Sequence, residues 1–169
     1  MISIETNCKN YTKFERIGEG SYAKIYKAQN KTTKSYVAIK EIDKTKYNTL
    51  TNERFNETEI MNIIKSENSV KFKDKIDTKD YFYIIMDLCI INLEDYIKNR
   101  ENEITINEIK EVLIQLNNVF KIMKTKKIIH RDLKPSNILI SLDRLDKCLI
   151  KLSDYGSSKF INLSNTKQI

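Results

Sequence analysis

The chain has 169 residues, 31% charged and 40% hydrophobic, with three glycines, one proline and no tryptophan. Such proportions suit one or two compact units and exclude a coiled coil, a collagen-like repeat and a wholly disordered chain. The net charge of +7 invites a nucleic-acid reading, yet the lysines are dispersed among acids, as in KFKDKIDTKD, so no phosphate-tracking stripe and no nucleic-acid partner are expected.

Three widely spaced cysteines, Cys8, Cys89 and Cys148, give no C-x-x-C pair, which argues against a disulfide framework or a cysteine zinc site and for a reducing compartment. The N-terminus lacks a basic-then-apolar leader pattern, and the longest apolar run, Tyr81 to Ile91, is interrupted by Asp87 and too short to span a bilayer. A soluble, cytoplasmic chain without membrane association is the expectation. The oligomeric state is not legible.

From Tyr11 to Lys40 short apolar-polar alternations separated by turn-like stretches predict an antiparallel meander, with strands at Phe14-Ile17, Lys24-Ala28 and Tyr36-Ile42. Asn52 to Ser66 changes period and predicts a helix carrying Phe55, Glu59, Ile60, Ile63 and Ile64 along one side. Strands at Val70-Asp74 and Tyr81-Met86 follow. Asn107 to Lys126 then reads as a long amphipathic helix with Ile109, Val112, Leu113, Leu116, Phe120 and Met123 as its apolar stripe. The last third holds a polar loop, HRDLKPSN, and a predicted hairpin of Ile138-Ile140 with Leu149-Leu152. A change of register near Cys89-Asn92 divides a sheet-rich part from a helical one.

Four constellations carry chemistry. Ile17-Gly18-Glu19-Gly20-Ser21-Tyr22-Ala23-Lys24-Ile25 lies between two strands, and its glycines would let backbone N–H groups approach phosphate oxygens. Taken alone it also fits a hairpin turn. Val37-Ala38-Ile39-Lys40 places a lysine in an apolar strand, which is costly unless the ammonium meets an anion or turns to solvent at a sheet edge; Glu59 on the next helix is the expected partner. His130-Arg131-Asp132-Leu133-Lys134-Pro135-Ser136-Asn137 combines a carboxylate able to accept a hydroxyl proton, an ammonium able to steady a phosphoryl group and an amide oxygen suited to a hard cation. Asp154-Tyr155-Gly156 follows an apolar strand and supplies a second oxygen ligand.

The order of these elements, and the spacings from Gly18 to Lys40 and from Lys40 to Glu59, resemble the eukaryotic protein kinase family. The resemblance implies an α+β protein-kinase-like fold: a small antiparallel β-sheet lobe with one helix (11–88), joined to an incomplete, mainly helical large lobe (93–169). It implies ATP and Mg2+ as ligands and a protein substrate bearing Ser or Thr, since Lys134 follows the serine/threonine-type pattern. Lys40 would hold the α and β phosphates and pair with Glu59, Asp132 would be the catalytic base, Lys134 would neutralise the transferring phosphoryl, and Asn137 with Asp154 would hold magnesium. Ile17, Gly18, Glu19, Gly20, Ser21, Tyr22 and Ala23 would cover the nucleotide. Ile25 and Ala38 above and Leu139 below would enclose the adenine, with Met86, Asp87 and Cys89 along the connecting hinge.

Three departures from the family pattern are mild: Ala23 for the third glycine, Asp87 for a hinge glutamate and Tyr155 for phenylalanine. A fourth is larger, because the sequence stops at Ile169, before the rest of the activation segment and the later helices. The expectation is a serine/threonine kinase domain, truncated and feebly active or inactive as it stands. The alternative is a nucleotide-binding or regulatory pseudokinase-like fragment acting as a binding module.

Overall fold

The structure is a computed structural model of the chain; it describes residues 10–20, 23–45, 51–143 and 145–161, the side chains of 51–56 excepted. Ser21 and Tyr22 of the glycine loop, and Cys8, lie outside the described residues.

The order of elements is β1 (Tyr11–Glu19), β2 (Ala23–Asn30), β3 (Tyr36–Asp43), α1 (Thr51–Ile63), β4 (Phe72–Asp77), β5 (Tyr81–Met86), β6 (Ile91–Asn92), α2 (Leu93–Lys98), α3 (Ile106–Thr125), β7 (Ile128–Ile129), β8 (Ile138–Leu142), β9 (Cys148–Leu152) and β10 (Lys159–Phe160). Single 3-10 turns occupy Pro135–Asn137 and Tyr155–Ser157. The first five strands form one antiparallel sheet in the order β1-β2-β3-β5-β4, and β6-β8-β9 form a second. This is the α+β arrangement expected, with α1 as the helix of the sheet-rich part.

β3 explains how the larger sheet is built. Its side chains alternate between faces: Val37 and Ile39 join Tyr11, Ala28, Tyr83 and Ile85 in a cluster on one face, while Ile42 joins Ile60, Ile64, Phe82 and Ile84 on the other. Both faces are covered, so the strand reads as a nearly continuous apolar run. Parity puts Ala38 and Lys40 on the side of Ile42, the side facing α1 and the remainder of the chain.

The cluster around Ile42 continues without a break into Leu116, Val119 and Met123 of α3 and into Ile138, Ile150, Leu152 and Tyr155. Burial of each such side chain contributes roughly 1.5–3 kcal/mol, so the two parts of the chain share one core. α3 starts where Thr105 accepts the Glu108 N–H while the Glu108 carboxylate accepts the Thr105 N–H, a reciprocal cap. Its apolar stripe divides: Leu116 and Met123 are buried, together with Val119; Val112 and Phe120 are half-buried, and Ile109 and Leu113 stand exposed.

Two expected boundaries shift for visible reasons. β4 begins at Phe72 because Val70 is otherwise engaged: its N–H donates to the Leu152 carbonyl at 2.9 Å, and Ser69 bridges Leu152 in parallel. Asn68 strengthens that crossing, donating its amide to the Ile150 carbonyl at 2.9 Å and to Gln115 of α3 at 3.0 Å. β1 runs the full length from Tyr11 because β2 offers partners as far as Asn30. The short α2 was not expected. It is six residues long, too short to show a helical period, and is started by the Asn92 side chain accepting the Asp95 N–H.

Candidate functional site: where the sheet meets the hairpin

Cross-strand register assembles one side of the site. Gly18 stands opposite Ile25, Ile25 opposite Lys40 and Lys40 opposite Ile84, a row across four strands. Ala38 stands opposite Met86 in the next row. The glycine turn is closed by a hydrogen bond from Gly20 N–H to the Ala23 carbonyl at 2.8 Å, while Ile17 and Glu19 remain exposed. Met86, Asp87, Leu88 and Cys89 leave the sheet, half-buried, towards β6. Burial raises the Cys89 thiol to about 11, so it stays protonated at neutral pH.

Lys40 is the centre of the site. Its ammonium donates to Glu57 Oε1 at 2.8 Å, to Glu57 Oε2 at 3.0 Å and to Asp154 Oδ1 at 2.9 Å. Burial alone would lower the pKa of this lysine, but the two carboxylates outweigh it and the ammonium is held charged. The partner from α1 is therefore Glu57, and the expected Glu59 is exposed. The reason is helical phase: Glu57, Ile60, Met61 and Ile64 recur at i, i+3, i+4 and i+7 and are all buried, so they define the inner face. Glu59 lies about 200° away from Glu57 on that wheel. The signal was present in the Ile60, Met61, Ile64 trio, which points back one turn to position 57. The family-like spacing from Lys40 to Glu59 pointed two residues too far.

The other side is set by the hairpin of β8 and β9. Ile138 pairs with Leu152, so the residues just outside the pair, Asn137 and Ser153, must also be neighbours. Ser153 donates its N–H and its hydroxyl to the Asn137 carbonyl, both at 2.9 Å. Asn137 in turn donates its amide to the Asp132 carbonyl at 2.8 Å and to Asp132 Oδ2 at 3.0 Å. Lys134 Nζ also reaches Asp132 Oδ2, at 2.9 Å. These donors, with Lys134 foremost, hold the Asp132 carboxyl below the usual carboxylate range.

A polar chain thus runs from Asp132 through Asn137 and Ser153 to Asp154, Lys40 and Glu57. Burial pushes the Asp154 carboxyl up, and the Lys40 ammonium and the Gly156 N–H more than offset it, leaving the group ionised. A Cβ on Gly156 would sit 3.4 Å from both Asp154 Oδ1 and Glu57 Oε2, so the glycine keeps this polar junction free of an apolar methyl. His130 supports the loop from beneath. It is buried, Nε2 is 3.0 Å from the Ser153 carbonyl and Nδ1 accepts the Asp132 N–H at 3.4 Å. That pairing requires a neutral ring protonated on Nε2, and burial lowers the imidazole pKa accordingly. Leu139, paired with Lys151 in the hairpin, is half-buried.

The donor set suits a hard divalent cation. Asp154 offers a carboxylate, and Asn137 has spent its amide N–H groups on Asp132, which leaves its Oδ1 as an oxygen ligand. Magnesium is ordinarily held by one or two such protein oxygens together with substrate phosphates. The buried ammonium of Lys40 supplies a fixed positive charge beside them.

The family model described as "Protein kinase domain" matches residues 11–169. The chain is 35% identical over 161 residues to the probable serine/threonine-protein kinase fhkA of Dictyostelium discoideum, an alignment covering 91% of this chain and 27% of that protein. It is 28% identical over 179 residues to cyclin-dependent kinase 9 of Bos taurus and of Rattus norvegicus, covering 95% of this chain and 45% of each relative. The chain belongs to the protein kinase family. It spans between about a quarter and a half of the length of these curated relatives. No helix among the described residues is long and apolar enough to cross a membrane.

Proposed function

We propose that this protein transfers the γ-phosphoryl group of ATP, as its magnesium complex, to serine or threonine hydroxyls of a protein substrate, with 11–88 and 93–169 contributing the two walls of the cleft. The observation that carries this reading is the Lys40 ammonium held between Glu57 and Asp154 within hydrogen-bond distance of both. Both relatives named above are kinases by name, and fhkA is named a probable serine/threonine-protein kinase.

In this reading Lys40 orients the α and β phosphates, and Glu57 and Asp154 fix where its ammonium points. Asp154 and Asn137 hold the magnesium. Bound magnesium neutralises charge on the phosphate oxygens. Lys134 and Asn137 both donate to Oδ2 of Asp132, which leaves Oδ1 to accept the proton of the attacking hydroxyl. Gly18, Glu19, Gly20 and Ala23, with Ser21 and Tyr22, cover the phosphates; Ile17, Ile25, Ala38 and Leu139 enclose the base along Met86, Asp87 and Cys89. The free thiols of Cys89 and Cys148 suit a reducing, cytoplasmic setting.

Incubation with labelled ATP, magnesium and a generic basic protein tests the reading. Label transfer abolished by Asp132→Asn supports it. Nucleotide that raises the melting temperature with no transfer would favour the second reading, a nucleotide-binding or regulatory module.

A further inference from the structure

Asp154 is in the left-handed region, at φ 61° and ψ 69°, where residues bearing a Cβ are disfavoured. Such a conformation persists only where its neighbours hold it. On one side the hold is Ser153, bonded to the Asn137 carbonyl and, through its own carbonyl, to His130. On the other side is Tyr155, fully buried and edge-on to His130 with ring centroids 5.3 Å apart. The Tyr155 hydroxyl lies 2.7 Å from Ser69 Oγ, which is also fully buried. Its other contact, the Leu152 carbonyl, is long at 3.4 Å.

Ser69 is a firm anchor because both its neighbours are tied to β9: Leu152 N–H donates to Asn68 O and Val70 N–H donates to Leu152 O, each at 2.9 Å. Burying a phenol is costly unless its hydroxyl is bonded, and Ser69 supplies that bond. Tyrosine at 155, one of the departures from the family pattern, thereby gains a role that phenylalanine would lack.

We propose that Ser69 is a positioning residue: its hydroxyl, bonded to Tyr155, latches the 154–156 turn so that the Asp154 carboxylate is presented to Lys40 and to a bound cation. The consequence for nucleotide binding rests on the function proposed above; the latch itself does not.

The test compares the 169-residue chain with Ser69→Ala, Tyr155→Phe and the double variant. Three quantities are read: amide hydrogen exchange over 153–158, melting temperature, and magnesium-dependent binding of a fluorescent ATP analogue. Each single variant is expected to speed exchange in 154–158 by about tenfold, the scale of one buried hydrogen bond, and to weaken magnesium-dependent binding. The double variant is expected to regain the melting temperature lost in Ser69→Ala, since no buried hydroxyl is left unpaired, while exchange stays fast and binding weak. Were Ser69 only a partner for a buried phenol, the double variant would recover all three, and the latch would be overturned. Unchanged exchange in both single variants overturns it as well. Tyr155→Phe removes one oxygen from a packed ring and keeps the comparison available if Ser69→Ala does not fold. A parent chain that binds no magnesium-nucleotide contradicts the proposed function, and the exchange data still decide the latch.

Discussion

Lys151 Nζ lies 2.7 Å from Asp87 Oδ2, so the segment leaving the five-stranded sheet is bonded to the strand that leads into Asp154. Lys73 of β4 reaches the other oxygen of the same carboxylate at 3.1 Å. Asp87 is thus a junction between β4 of the five-stranded sheet and β9 of the hairpin. Burial pushes its carboxyl up and the two lysines outweigh that, leaving it below the ordinary carboxylate range.

The two lysines should matter unequally. Lys151 is nearly buried and Lys73 is 41% exposed, and an ion pair's worth depends on the water around it. Asp87→Ala leaves Lys151 without its anion and is expected to cost about 2–4 kcal/mol, against less than about 1 kcal/mol for Lys73→Ala. Urea denaturation of the three chains checks this. Equal losses would show that the junction is not organised around Lys151.

The α1 partner of Lys40 can be assigned by substitution. Lys40→Met strands the Glu57 carboxylate, whose side chain is 6% exposed, and is expected to destabilise the chain by about 3 kcal/mol. Glu57→Gln should weaken nucleotide binding. Glu59→Gln, at an exposed position, should change stability by no more than about 0.5 kcal/mol and leave binding unaltered. Melting temperatures with and without nucleotide give both quantities, and a Glu59 effect matching that of Glu57 would reverse the assignment.

His130 is the chain's sole histidine, so its titration is directly readable by NMR. Its folded pKa is expected below the ordinary 6.5 because burial disfavours the imidazolium and the Asp132 N–H points at Nδ1. The unfolded chain then binds more protons than the folded one as pH falls past 6.5, so stability rises with pH through that window and is lost as the medium is acidified. His130→Gln should flatten the slope between pH 7 and 5.5. A histidine that titrates above 6.5 would refute the neutral, Nε2-protonated ring.

Much of this was legible in the sequence because strand parity and short motifs are local. Val37 to Ile42 fixed the face on which Lys40 lies, and the turn between Ile138 and Leu152 brought Asn137 beside Ser153. What escaped was phase and long-range contact. In α1 Ile60 and Ile64 suit either phase, and Met61, buried where Ile63 is only half-buried, is the one side chain that decides for Glu57 over Glu59. The crossing of Asn68, Ser69 and Val70 onto β9 removes Val70 from β4, and no periodicity in residues 66–72 records a partner more than eighty positions away.

Asp132 offers a separation of roles. Asp132→Asn keeps the shape of the loop and removes the proposed proton acceptor, so phosphoryl transfer should fall by about 10²–10⁴ while ATP affinity holds within about threefold. Asn137→Ala removes the proposed cation ligand together with two bonds to Asp132 and should lower both transfer and magnesium affinity.

The most direct measurement is magnesium-dependent nucleotide affinity in the parent chain and in Asp154→Asn, by calorimetry across a magnesium titration. If Lys40, Asn137 and Asp154 converge on one metal-bound triphosphate, magnesium tightens ATP binding in the parent chain by tenfold or more, about 1.4 kcal/mol, and Asp154→Asn abolishes that gain. Affinity indifferent to magnesium in the parent chain, or a gain that survives Asp154→Asn, would contradict the account.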